Sequence, residues 1–175
     1  AKRLSSQFLD DFLEEPAADL SVLTKQSNIE DITLIGHSFG ASSIIHSLRD
    51  EKKLKYQINQ NVIKKVILVN GLLGDGVFPE DDDEVIDGMR LTPNQFVNAQ
   101  TKAASKFFNI DGQIEIKKTL QKLFPEIAQS KIPNDIDLII TASPMDAYLT
   151  LDGAKKYLEN QGHGLLVADL TNSNI

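Results

Sequence analysis

Ser38 lies at the centre of Gly36-His37-Ser38-Phe39-Gly40, a glycine-bounded pentapeptide that follows an apolar run and precedes residues at helical spacing. This is G-x-S-x-G in a strand-turn-helix setting. A turn that sharp strains its central residue, so the positions two before and two after must be small enough for strand and helix to pass closely. Gly36 and Gly40 supply that room. The turn raises the Ser38 hydroxyl above the carboxyl ends of the strands. The Phe39 backbone N–H and the start of the next helix then direct positive charge at a developing oxyanion. Ser38 is thus the candidate nucleophile and Phe39 N–H the candidate oxyanion donor. The plainer alternative is a turn in which Ser38 only caps the following helix.

The elements that position this turn are legible on either side. Asp31 to Gly36, Lys65 to Asn70, Ile136 to Thr141 and Leu165 to Leu170 are short apolar runs, which predict strands buried on both faces. Ala41 to Leu48 and Ala154 to Asn160, the latter closed by Gly162, carry helical spacing between them. Strand, helix and strand in this order predict an α/β fold with a parallel sheet of about four strands and helical crossovers. Before the sheet, Pro16 predicts one helix ending near Glu15 and a second beginning after it.

Pro79 to Pro133 is too long for one crossover. Phe96, Ala99, Ala103 and Phe107 form one apolar stripe, and Ile116, Leu120, Leu123 and Phe124 form another that is expected to stop at Pro125. They predict a helical insertion over one end of the sheet and divide the chain into core residues 1–78, a cap 79–133 and core residues 134–175. The run Glu80-Asp81-Asp82-Asp83-Glu84 lacks the spaced ligands and central glycine of a calcium loop and reads as a solvated loop.

Composition removes several classes of function. The 175 residues hold 18 Lys and Arg against 25 Asp and Glu, a net charge of −7 that disfavours nucleic acid and anionic lipid. There is no Cys, hence no disulfide, thiol nucleophile or thiolate metal site. No apolar run is long enough to cross a bilayer, and the absence of a visible export signal leans the compartment toward the cytoplasm. No pattern in the sequence reports on oligomeric state.

From about Asp19 to the last residue the chain resembles the α/β-hydrolase family. Ile32-Thr33-Leu34-Ile35-Gly36-His37-Ser38-Phe39-Gly40-Ala41 is similar to its nucleophile strand, elbow and following helix. Lys65 to Asn70 resembles the next strand, and Pro79 to Pro133 the helical cap. In Ile140-Thr141-Ala142-Ser143-Pro144-Met145-Asp146 the resemblance implies that Asp146 is the triad acid; otherwise it is a loop Asp bonding its own backbone. Asp75 is a lower-ranked rival, since some lipase-like members carry the acid after the preceding strand.

The triad also needs an imidazole to move the serine proton. His37, adjacent to Ser38, is expected to point away from it and pack beneath the turn. His46 lies eight residues along the helix, about 12 Å away. His163 follows the acid but precedes the last strand, which places it about 20 Å from the active edge. The resemblance therefore implies a histidine beyond Ile175. Likewise the strand Ile32 to Ile35 would lie on an open edge, so both ends of a longer hydrolase are expected to be missing.

The implied activity is hydrolysis of a small-molecule carboxylic ester or thioester through an acyl-enzyme, without metal or organic cofactor. Phe96, Phe107, Phe108 and Phe124 hint at an apolar acyl group, although the same residues could simply pack the cap. The alternative is a hydrolase-fold domain that lacks the base and binds a ligand or a protein.

Overall fold

The computed structural model describes residues 2–71, 73, 83–85, 89–108, 113–143 and 150–168. In chain order these form α1 (Lys2–Leu23), β1 (Ile32–His37), α2 (Phe39–Ser47), α3 (Asp50–Tyr56), β2 (Ile63–Val69), α4 (Pro93–Phe108), α5 (Gln113–Gln129), β3 (Asp137–Ala142), α6 (Leu151–Gln161) and β4 (Leu165–Ala168). The sheet is entirely parallel, in the order β1-β2-β3-β4.

The register separates the two faces of the sheet. Leu34 and Gly36 align with Val66 and Leu68, and these with Leu138 and Ile140. Val66, Leu68, Leu138 and Ile140 are buried in one core with Leu13, Ala17 and Leu20 of α1, Ala41 and Ile45 of α2, Leu123 and Ile127 of α5, and Ala154 and Tyr157 of α6. The alternate positions Ile35, Ile67, Ile139 and Leu165 form a second row across the strands. Ile35 is 66% exposed and Leu165 58% exposed. The expectation of strands buried on both faces is therefore corrected: among the described residues the helices that share the core gather on one side. A period-two sheet then buries only every second side chain.

Two proline expectations are also corrected. Helix α1 runs through Pro16, and α5 runs through Pro125. An interior proline costs about 3 kcal/mol in lost hydrogen bonding and steric conflict. In α1 this is offset by Leu13, Ala17 and Leu20, which form one buried stripe. In α5 Leu120, Leu123, Phe124 and Ile127 do the same across the proline. Full burial of a large apolar side chain contributes about 1.5–3 kcal/mol, so either stripe outweighs the break.

Helix α6 starts at a Thr150 cap whose Oγ1 accepts from Gly153 N–H at 3.0 Å, and it ends at Gly162 with φ 79°. Its last residue, Gln161, is buried and clamps the approach to β3. Its Oε1 accepts from Ile132 N–H at 2.8 Å, and its Nε2 donates to the Ser130 carbonyl at 3.0 Å. Gln161→Leu removes both bonds at a buried site and is expected to cost about 1–3 kcal/mol, read as a lower denaturant midpoint at unchanged slope.

Helices α4 and α5 pack on each other, and α5 also packs on α1 and α2. Met89, Phe96, Val97, Leu120 and Phe124 form a second apolar cluster, with Phe39 and Leu91 against it. The Phe96 and Phe124 rings lie 5.7 Å apart between centroids, and both are almost fully buried. These two rings are thus occupied in packing and offer no surface to an acyl group. The side chains of Ala103, Phe107, Phe108 and Ile116 lie outside the described ones. Among the described residues no helix is long and apolar enough to cross a membrane.

Candidate active site

Strand β1 ends at His37, α2 begins at Phe39, and Ser38 alone makes the turn between them. Its backbone angles are φ 54° and ψ −123°. Positive φ combined with that ψ is sparsely populated by any residue with a Cβ, and costs about 1–3 kcal/mol. The surroundings hold it in place: Ser38 N–H donates to the Val69 carbonyl at 3.0 Å, and its own carbonyl accepts from Ala41 N–H at 3.1 Å. The Ser38 side chain makes no capping hydrogen bond to α2, so the simple helix-cap alternative is not what the residue does.

Gly36 and Gly40 differ in the room they have. A Cβ on Gly36 would lie 2.7 Å from the Gly40 carbonyl oxygen and 2.8 Å from the Ala41 backbone. A Cβ on Gly40 would meet nothing within 4 Å. Room for the turn is therefore needed on the strand side only. Gly40 sits in the first turn of α2, where its side-chain direction leads away from β1, and this corrects the expectation that both glycines are required.

Phe39 is half-buried and touches both the sheet core and the α4–α5 cluster. As the first residue of α2 its backbone N–H lies at the positive end of the helix. Asp146 and its rival Asp75 lie outside the described residues. So do Glu80, Asp81 and Asp82 of the acidic run, while Asp83 and Glu84 are exposed. Among the described residues no three His, Asp or Glu side chains converge as a metal would require.

The three histidines are far apart in the fold. His37 is exposed rather than packed beneath the turn, which corrects that expectation. Alternation along β1 puts it on the same open face as Thr33 and Ile35. His163 precedes β4, at the amino end of the sheet, whereas Ser38 follows β1 at the carboxyl end. His46 is in the last turn of α2 and is buried, with Nε2 3.5 Å from Glu14 Oε1.

Glu14 joins α1 to α2 and α3. It accepts from Lys52, from Lys55 at 3.0 Å and from Tyr56 Oη at 2.5 Å. Nothing in the sequence marks this cluster, because its members are about forty positions apart and only packing brings them together. Burial and the positive charge of Lys52 push the His46 pKa below its ordinary value. For Glu14 burial acts upward, but the bonds from Lys52, Tyr56 and Lys55 together outweigh it and hold the carboxyl well below the usual range.

The sign of the pH dependence follows from these two shifts. An unfolded histidine takes up a proton below about pH 6.5 and folded His46 resists it, so that stability is complete above this pH and falls beneath it. The Glu14 contribution is present above about pH 4.5 and is lost as pH falls further. We expect the unfolding midpoint to drop from pH 6.5 to 5, and His46→Leu to flatten that window while leaving the loss below pH 4.5. An unchanged slope in His46→Leu would assign the window to another group.

No known protein family matches the chain by sequence, and no curated protein matches it. Solved structures do. A lipase/esterase from Lactobacillus plantarum is 15% identical with a TM-score of 0.50, over 89% of this chain and 57% of that one. A hydrolase from Oleispira antarctica is 12% identical with a TM-score of 0.50, over 90% of this chain and 63% of that one. The chain thus spans roughly three-fifths of the length of these structures, and at such identities the likeness is one of fold. The protein has an α/β-hydrolase-like fold.

Proposed function

We propose that the protein is a serine hydrolase of carboxylic esters or thioesters. Ser38 attacks the acyl carbon, Phe39 N–H receives the oxyanion, and Asp146 orients the imidazole that moves the proton. Residues 79–133, including α4 and α5, serve as the cap, which Phe39 links to the nucleophile turn. The observation that carries this reading is the backbone of Ser38, held at φ 54° and ψ −123° between β1 and α2 without a capping bond. A folding motif has no use for a strained serine at that position; a nucleophile that must stand clear of the sheet does.

The test is covalent labelling. An organophosphonate applied to the protein as its natural source makes it should attach at Ser38, located by peptide mass, and abolish turnover of a short-chain aryl ester. Labelling elsewhere, or none, would reject the assignment.

One observation favours a second reading, a hydrolase-fold domain that binds a ligand or a protein without turning it over. His46 is in the last turn of α2, His163 is at the opposite end of the sheet, and His37 lies on the open face. A folded protein that neither labels nor turns over esters would support it.

A further inference from the structure

We propose that Asn70 is a positioning residue that fixes the exit of β3 relative to Ser38; the proposal rests on the serine-hydrolase reading. At the carboxyl edge β1 is stitched to β2, and β2 to β3, just past the last residue of the earlier strand. Ser38 N–H donates to the Val69 carbonyl at 3.0 Å, and Asn70 N–H donates to the Thr141 carbonyl at 2.9 Å. Asn70 then adds a bond beyond the ladder: its Oδ1 accepts from Ser143 N–H at 3.1 Å, across 73 positions of sequence. A continuous line of bonds thus runs from Ser38 through β2 to the first residue after β3.

The Asn70 backbone shows why its side chain can do this. Its φ is 43°, the left-handed region, which Asn tolerates better than most residues with a side chain. The chain leaves β2 there and enters Gly71, which is buried so tightly that a Cβ would lie 2.5 Å from Ala41 Cβ. The exit of β2 is thus pressed against the first turns of α2 on one side, while the Asn70 carboxamide holds β3 on the other. Glycine would satisfy the backbone at position 70 equally well. What asparagine adds is the acceptor for Ser143, three residues before Asp146. The bond therefore fixes the point at which the chain leaves β3 relative to the proposed nucleophile, and catalysis depends steeply on the spacing of the groups such an exit leads to.

The test uses Asn70→Gly, which keeps the left-handed backbone but removes the acceptor, and Asn70→Asp, which restores the acceptor. Both are made in the protein as its natural source produces it. The readouts are amide exchange at Ser143 and the kcat and KM for a short-chain aryl ester. Asn70→Gly should lose protection at Ser143 and lower kcat by about ten- to a hundredfold with KM little changed, while Asn70→Asp recovers both. A purely structural bond would move the exchange and leave kcat alone, so a wild-type kcat in Asn70→Gly overturns the proposal. So does an Asn70→Asp protein that regains Ser143 protection but not kcat. The underlying reading fails separately, through ester turnover that survives Ser38→Ala.

Discussion

Ser38→Ala will lower kcat for ester hydrolysis by at least about four orders of magnitude and abolish phosphonate labelling, if Ser38 is the nucleophile. The size of the effect reflects the lack of a substitute on α2: Ser42, Ser43 and Ser47 are buried along it, and Ser43 and Ser47 bond back to the helix carbonyls of Phe39 and Ser43. Ser38→Gly separates chemistry from strain. It removes the hydroxyl as alanine does, but it also removes the Cβ that makes φ 54° and ψ −123° costly. We expect it to be as inactive as Ser38→Ala and about 1–3 kcal/mol more stable, seen as a higher unfolding midpoint. Equal stability of the two variants would mean that the turn is relaxed and that its geometry has no cost for function to justify.

The second large effect falls on folding. Gly36→Ala places a methyl 2.7–2.8 Å from backbone atoms of Gly40 and Ala41, and no rotamer change can move a backbone atom aside. Helix α2 has to withdraw from β1, breaking contacts of Ala41 and Ile45 in the main core. We expect a loss of about 3 kcal/mol or more, a large part of the stability of an ordinary domain. Gly40→Ala is the matched control. It meets open space and replaces a glycine within a helix, so it should be neutral or stabilising by up to about 1 kcal/mol. Denaturant midpoints of the two variants decide the matter, and similar losses in both would contradict the geometry of the turn.

How much of this was legible in the sequence depended on how local each signal was. The four strands, their parallel arrangement and the G-x-S-x-G turn could be read because each is written in contiguous residues, and all four strands lie within a few positions of the expected runs. Pro16 and Pro125 end no helix because burial outweighs the local rule: in α1 and α5 the apolar stripe continues on both sides of the break. Helix α3 went unread because Asp50-Glu51-Lys52-Lys53-Leu54-Lys55-Tyr56 has no apolar face and buries no residue. It is tied down by Tyr56 packing against the main core and by Lys52, Lys55 and Tyr56 converging on Glu14, a pairing no window of sequence contains. Gly40 looked equivalent to Gly36 because a motif records residue types and not the direction in which a Cβ would point. Asn70 left a faint trace, since an asparagine directly after a strand and before Gly71 suits a left-handed turn. Its bond to Ser143 needed the sheet order.

Helix α5 has a consequence for any attempt to exchange the helical segment with that of another protein. Leu123 and Ile127 belong to the core beneath the sheet, while Leu120 and Phe124, from neighbouring positions of the same helix, belong to the cluster with Phe96. The helix is a party wall, shared by two rooms. A graft that replaced all of 79–133 would remove one side of the main core and would be expected to collapse. One that kept α5 and exchanged only residues 89–108, with Leu120 and Phe124 as its floor, would leave the foundation standing.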